Sequence, residues 1–92
     1  MTESMFVLHD GYPVQLSLYN GVLQRVESVI TRMKAGRKYT LKRLCGSAFW
    51  DPLGPGQQRI AGRCFSHMVL IGRLPLILAK TDHEYPKQYK LK

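Results

Sequence analysis

Acidic residues are scarce in this sequence: six Asp and Glu stand against fourteen Lys and Arg, which gives 92 residues a formal net charge of +8. Cysteine is also scarce, and two cysteines make no disulfide framework, so a reducing cytoplasmic environment is expected. Apolar runs stay shorter than the about 18 residues of a membrane-spanning helix. The first twenty residues contain no Lys or Arg that would begin a signal peptide. With 45% hydrophobic residues, the chain 1–92 is expected to fold as one domain.

Motifs that carry catalysis or bind cofactors are missing as well. A hydrolase needs a nucleophile, a base and an orienting group, and six acids with three histidines offer no recognisable set. The glycines of residues 54–56 are not followed by the Lys-Ser/Thr of a phosphate-binding loop. We therefore predict that the protein is not an enzyme and requires no cofactor.

A zinc site could in principle be assembled from the ligands Cys45, Cys64, His67 and His83. Cys64 and His67 have a plausible spacing, but Cys64 falls on the apolar face of a predicted helix and no CxxC pair is present. The prediction is that no metal is bound and that both cysteines are small buried apolar residues. His9 lies in a predicted turn, where exposure to solvent is expected.

The positive charges form clusters. No acidic residue lies between Glu27 and Asp51, and that stretch contains Arg32, Lys34, Arg37, Lys38, Lys42 and Arg43. A second cluster closes the chain, and between the two lie Arg59 and Arg63. Nucleic acid is the usual partner of a compact basic domain. The alternatives are a charged surface that only keeps the protein soluble and one that docks on an acidic protein.

The N-terminal residues predict a β-hairpin. Asp10-Gly11 is a turn signal. After it, Val14, Leu16 and Leu18 alternate with polar residues, which is typical of a half-buried strand that pairs with residues 5–9. The same segment can instead extend the helix that follows. Residues 1–19 are thus expected to be an N-terminal extension or hairpin, and a dimerisation element.

Two helices are predicted before residue 47. Asn20 is the expected N-cap of the first, and Gly36 the residue that ends it. Its buried face would consist of residues at helical spacing, namely Val22, Leu23, Val26, Val29, Ile30 and Met33. Thr40 is the expected N-cap of a short second helix over residues 41–45, which Gly46 would end.

A third, longer helix is predicted from Pro55 to Ile71, with Gly72 beyond its end. The turn-rich residues 47–56 would precede it, with Phe49 and Trp50 folded back onto the core. The apolar half of the helix comprises Ile60, Ala61, Cys64, Phe65, Met68, Val69 and Ile71, and the polar half Arg59, Gly62, Arg63, Ser66 and His67.

Two strands, residues 74–80 and 87–91, are expected to close the chain as a C-terminal hairpin. In the order and length of these elements, the chain from about Asn20 to Lys92 resembles the winged helix-turn-helix superfamily. The resemblance implies an α+β winged helix with three helices and a C-terminal β-hairpin wing. The link between the second and third helices is longer than the 3–4-residue turn of most helix-turn-helix proteins.

From Tyr39 onward the chain also resembles a family of short, uncharacterised bacterial and phage proteins. The residues that carry this resemblance are Tyr39-Thr40-Leu41-Lys42-Arg43-Leu44, Trp50, Arg59, Gly62-Arg63-Cys64-Phe65 and Tyr89-Lys90-Leu91. That family implies no particular activity.

The winged-helix resemblance implies a recognition helix whose N-terminal part reaches base edges in the major groove. The base-edge or phosphate candidates on it are Gln57, Gln58, Arg59, Arg63 and Ser66, since Arg can bind guanine and Gln adenine bidentately. The expected DNA-backbone contacts are Thr40, Lys42, Arg43, Lys80, Lys87 and Lys90. Gly62 would allow close backbone approach or, alternatively, close helix–helix packing. For any single charged residue, a merely solvated face remains the alternative.

The function expected from these features is sequence-specific binding of double-stranded DNA by a small bacterial or phage transcription regulator, as a homodimer. The alternative is a protein-interaction module, such as a small phage-encoded inhibitor, that docks on an acidic partner protein. RNA binding ranks last, because the sequence lacks the aromatic platform of single-strand binders.

Overall fold

A computed structural model describes residues 4–79 and 87–92 of the chain. They form four helices and two small antiparallel sheets, which confirms the predicted α+β class but adds one helix to the expected three. In chain order the elements are β1 Met5–Val7, β2 Pro13–Gln15, α1 Leu16–Ile30, β3 Tyr39–Thr40, α2 Leu41–Cys45, α3 Ser47–Trp50, α4 Pro55–Leu70, β4 Leu76–Leu78 and β5 Gln88–Leu91. Within these residues, none of the helices combines the length with the hydropathy of a bilayer span.

The N-terminal hairpin is confirmed, since β1 pairs antiparallel with β2 and Gly11 adopts a positive φ of +86° in the turn. The second strand is shorter than expected, and α1 begins at Leu16 instead of after Asn20. The predicted N-cap at Asn20 is therefore wrong. The physical reason is that Leu18 and Tyr19 are buried together with Val22, so the helical spacing of core contacts already begins before Asn20.

The C-terminal end of α1 also differs from the prediction. The helix ends at Ile30, and Gly36 lies in a separate turn with a φ of +81°. Met33 is nevertheless buried in the core, in a turn where its N–H donates to the Ile30 carbonyl oxygen. The apolar periodicity therefore continued past the last helical residue and predicted too long a helix.

The second predicted helix is confirmed at both ends. The Arg43 backbone N–H donates to Thr40 Oγ1 at 3.3 Å, and Gly46 ends the helix with a φ of +85°. The unpredicted helix α3 follows as a single turn, in which the Trp50 N–H donates to the Gly46 carbonyl oxygen at 3.0 Å. Phe49 packs it against α1. One turn has too few residues to show a period in a Gly- and Pro-rich segment.

The C-terminal hairpin is confirmed by the antiparallel pairing of β4 with β5, in which Leu78 lies opposite Tyr89. On its other edge β5 pairs with β3, where Tyr39 lies opposite Tyr89, so the strand order is β3-β5-β4. The first strand of the hairpin is shorter than the predicted residues 74–80. The predicted loop, residues 81–86, and Lys80 at the end of the predicted strand lie outside the described residues.

Helix α4 lies at the centre of the core. Its Phe65 and Met68 are fully buried, Val22 and Val26 from α1 pack in the same core, and the Tyr89 ring contacts Phe65 edge-on with centroids 4.5 Å apart. This packing holds the sheet and α1 in fixed positions around α4, which leaves its polar stripe at the surface.

Two residues of the predicted α4 faces are exchanged. His67, assigned to the polar half, is buried, and Ile71, assigned to the apolar half, is 54% exposed. Ile71 follows the last helical residue, so the helical period no longer places it. His67 is buried because the N-terminal hairpin covers its side of the helix.

Candidate nucleic-acid interface

One surface groove of about 780 Å³ joins several segments that are distant in the sequence. The N-terminal part of α2, the exposed stripe of α4, the residues around the start of β5 and the turn of the N-terminal hairpin line it. Seven of the predicted site residues lie here: Thr40, Lys42, Gln58, Arg59, Arg63, Ser66 and Lys87. We call this surface the basic groove.

Helix α4 supplies one wall of the basic groove through a stripe of polar and small residues. Gln58 and Arg59, then Gly62 and Arg63, then Ser66 follow one another at one-turn spacing, so they share a face of the helix. The opposite face of the same helix is locked in the core. The stripe therefore has a fixed orientation toward any ligand in the groove.

Arg59 and Gln58 differ in how they are held. Among the described residues, no hydrogen bond or ion pair engages the exposed Arg59 guanidinium, so its five N–H donors are open to a ligand. Gln58 instead donates from Nε2 to the carbonyl oxygen of Trp50 at 3.2 Å. That bond connects α3 to the first turn of α4, so Gln58 helps to hold the two helices that line the groove.

Arg63 contacts the N-terminal hairpin. Its Nη1 lies 3.4 Å from Asp10 Oδ2, and its guanidinium carbon lies 4.4 Å from the centroid of the Tyr12 ring. Asp10 lines the basic groove together with four cations, namely Lys42, Arg59, Arg63 and Lys87. The groove is therefore basic, with one carboxylate at a defined place.

The remaining groove residues are partly engaged. The Ser66 Oγ lies 3.3 Å from the Tyr89 hydroxyl, and Thr40 Oγ1 accepts the capping bond of α2. Lys42 lies 4.0 Å from Asp51, with both side chains more than half exposed. An ion pair of this kind is weak in water, so Lys42 can exchange Asp51 for a phosphate.

Four predicted contact residues are not brought into the basic groove. Gln57 lines a separate, shallow surface with Gln15 and Phe49. The Arg43 guanidinium lies 5.8 Å from the centroid of the Tyr39 ring, outside the groove. Lys90 points to the opposite face of β5 from Tyr89, because side chains alternate along a strand. Lys80 lies outside the described residues.

Gly62 lies in the middle of the polar stripe of α4, and no neighbouring group requires a glycine there. A Cβ at Gly62 would meet nothing within 4 Å, so the alternative of close helix–helix packing does not hold. The backbone of α4 is therefore directly accessible from the groove, which favours close approach of a ligand.

Replacing Gly62 by Ala is expected to raise the free energy of unfolding by about 0.5–1 kcal/mol, because a mid-helix glycine loses more backbone entropy on folding. Gly21→Ala in α1 is the matched control. Its Cβ would lie 3.2 Å from the Phe49 ring, so part of the gain is lost to a shift of that ring. Urea unfolding of both variants measures the difference. An absent gain for Gly62→Ala would contradict the open site at Gly62, and an equal gain for the two variants would show that the Phe49 ring shifts without cost.

The imidazole of His67 is a feature that the sequence analysis missed. It accepts a hydrogen bond at Nδ1 from the His9 backbone N–H at 3.0 Å, and the rings of His9 and His67 stack. Burial, and to a lesser extent the neighbouring His9, lower the pKa of His67, and Asp10 opposes this shift. The position of His67 between Phe65 and Met68, close to the buried arc, was the available signal.

We expect the protein to lose stability as the pH falls through the unfolded-state pKa of histidine, about 6.5. The folded state binds the His67 proton more weakly than the unfolded state, so its full stability is present only above that pH. Asn at position 67 keeps an acceptor but does not titrate. Urea unfolding between about pH 7.5 and 5 should give a flatter pH dependence for His67→Asn. Parallel profiles would show that His67 is not the responsible group.

The two cysteines are buried, as predicted. Burial raises the pKa of the Cys45 and Cys64 thiols to about 11, so neither forms the nucleophilic thiolate at neutral pH. In residues 4–79 and 87–92, no three His, Cys, Asp or Glu side chains are grouped so as to hold a metal ion. His83, the fourth ligand of the zinc alternative, lies outside these ranges.

No family model, curated protein sequence or solved structure matches this chain.

Proposed function

We propose that this protein is a winged-helix domain that binds double-stranded DNA with α4 as its recognition helix, and that it acts as a small cytoplasmic transcription regulator and not as an enzyme. The element order α1, β3, α2, α4, β4, β5 supports the winged-helix arrangement. The strand order β3-β5-β4 supports it further, because the strand before α2 joins the C-terminal hairpin in one sheet. Helix α3 occupies the long link between α2 and α4.

The observation that carries the proposal is the convergence of cations from three elements on one groove. Lys42 comes from α2, Arg59 and Arg63 come from α4, and Lys87 directly precedes β5. A merely solvated helix face would not require cations from separate segments to meet. A duplex, with a negative charge about every 1.7 Å along its axis, is a partner that engages such an array.

The roles of the residues follow from their positions. Arg59, in the second turn of α4 and open to a ligand, would reach a base edge or a phosphate in the major groove. Lys42 and Lys87, on either side of the helix, would contact phosphates and fix the orientation of the domain. The uncovered backbone at Gly62 would let the helix approach the duplex closely.

The homodimer belongs to the same proposal. Met5 and Val7 of β1 are 55% and 59% exposed, and residues 1–24 contain no Lys or Arg. A second copy of a chain with a net charge of +8 would approach at this apolar surface, which has no cations of its own, with the least repulsion. Met5 and Val7 do not line the basic groove, so a dimer through β1 would not use the groove residues of the hairpin turn.

Two measurements test the function. Duplex affinity should fall by about 10³–10⁵-fold between 50 and 200 mM salt if six to ten phosphates are neutralised. Selection from random duplexes at about 150 mM salt should enrich one sequence, and a palindrome would support the dimer. Salt-independent binding, or a selection that enriches no sequence, would refute sequence-specific duplex binding.

An acidic protein partner is the second candidate, and the floor of the basic groove favours it. Leu41 and the half-buried Trp50 line the groove together with its cations, and a peptide with both apolar and acidic side chains would fit such a surface. Tight binding of acidic peptides at about 150 mM salt, together with weak and non-selective duplex binding, would favour this candidate. RNA as a competitor in the same assay tests the third possibility.

A further inference from the structure

The Arg63 side chain is restrained from two directions by the turn of the N-terminal hairpin. Asp10 Oδ2 lies 3.4 Å from Nη1, and the guanidinium carbon lies over the Tyr12 ring, 4.4 Å from its centroid. The Asp10 side chain also accepts the Tyr12 backbone N–H at Oδ1, at 3.1 Å, so the two restraining residues are themselves connected. The arrangement spans 53 positions of sequence and places a carboxylate among groove cations.

This arrangement has opposite effects on two kinds of binding. The Asp10 carboxylate repels phosphates, so it would lower the affinity of the groove for any duplex. Its contact with Arg63 also orients the guanidinium before a ligand binds. The arginine side chain would therefore lose less rotamer freedom when it binds a base edge. No described residue restrains Arg59, so its guanidinium is not oriented before binding. The Asp10–Arg63 pair itself is about half exposed and stabilises the fold only weakly.

We propose that Asp10 and Tyr12 are positioning residues that orient Arg63 to recognise a guanine, through O6 and N7, in the major groove. Asp10 engages one side of the guanidinium, and the remaining N–H donors match the two guanine acceptors. The Tyr12 ring attracts the guanidinium through a cation–π contact and so helps to hold its position. This inference rests on the proposed function and adds a specificity role for the N-terminal hairpin.

The test uses the full chain, the selected duplex and a set of duplexes in which each G·C pair is replaced in turn by A·T. Arg63→Ala should abolish the preference for a guanine at one position. We expect that preference to be about 5- to 100-fold in the unmodified protein. Asp10→Asn keeps the Oδ1 acceptor for the turn but removes the charge. It should lower the preference at that same guanine by up to about tenfold, and by less than Arg63→Ala does, while it raises affinity for random duplex. Tyr12→Leu should lower the preference without raising the random-duplex affinity.

Four outcomes would overturn the inference. In the first, Asp10→Asn raises affinity for all duplexes equally, so Asp10 only repels phosphates. In the second, Asp10→Asn and Tyr12→Leu leave the guanine preference intact although Arg63→Ala abolishes it. In the third, Arg63→Ala binds the selected duplex as the unmodified protein does, or it changes the affinity without changing the preference for guanine at any position. In the fourth, the unmodified protein binds no duplex, which refutes the proposed function as well. A purely structural role would move the urea midpoints of the variants and not the preference at one base pair.

Discussion

Arg59→Ala is expected to weaken binding of the selected duplex by about 5- to 150-fold at 150 mM salt, which corresponds to about 1–3 kcal/mol for one well-placed arginine. The guanidinium is exposed, lines the basic groove and has no partner within the described part of the chain. Its removal therefore breaks no hydrogen bond or ion pair of the unbound protein. If Arg59 contacts a base, specificity at one position relaxes. If it contacts a phosphate, affinity falls for all sequences and the salt slope decreases by about one.

Arg73→Ala is the matched control for this measurement. It removes the same charge just beyond the C-terminal end of α4, where Arg73 pairs with Glu27 at 3.1 Å, outside the basic groove. Its duplex affinity should remain within about twofold of the unmodified protein, since an exposed distant charge is largely screened. Equal losses in the two variants would mean that net charge alone drives binding and that α4 is not the recognition helix.

Phe65→Ala is expected to lower the free energy of unfolding by about 3–5 kcal/mol, the range for truncating a buried phenylalanine. The side chain is fully buried in α4 and contacts the Tyr89 ring of β5, so its removal leaves a cavity between the helix and the sheet. A small domain has about 5–15 kcal/mol of stability in total. Urea or thermal unfolding should therefore show a variant that is unfolded or close to it.

Leu70→Ala in the same helix is the comparison for Phe65→Ala. Leu70 is 66% exposed at the last helical position, so its truncation should change the free energy of unfolding by less than about 0.5 kcal/mol. If Leu70→Ala is as harmful as Phe65→Ala in the isolated protein, Leu70 must be covered by another surface, such as a second copy of the chain. Repeating the unfolding at several protein concentrations distinguishes that case.

The helix boundaries show which parts of the fold the sequence could predict. Thr40 and Gly46 were correctly placed at the ends of α2, and Pro55 and Gly72 at the beginning and just past the end of α4. A capping hydroxyl, a left-handed glycine and a proline act within one helical turn, so residue type alone specifies them. The predicted start of α1 was wrong because Asn20 can cap a helix but does not have to. The burial of residues before Asn20 stabilises an earlier start of the helix.

The candidate site was predictable to a similar extent. The one-turn spacing of Arg59 and Arg63 was sufficient to place both on one face of a helix, and both line the basic groove. Gln57 has the same polarity but lies on another surface, since one residue along a helix changes direction by about 100°. The contacts of Asp10 and Tyr12 with Arg63 could not be predicted, because no local pattern links a turn to a helix 53 positions away.

The sequence by itself determined the α+β class, the caps of α2 and α4, the burial of the cysteines and the clustering of positive charge. These properties depend on residue type, on periodicity within an element, or on simple composition. Only the tertiary structure decided that three segments line one groove, that the hairpin covers His67 and that Asp10 restrains Arg63. Each of these is a contact between segments far apart in the chain. Such contacts form only when the core around Phe65 and Val22 fixes how the elements pack, and residue patterns within one element do not encode that packing.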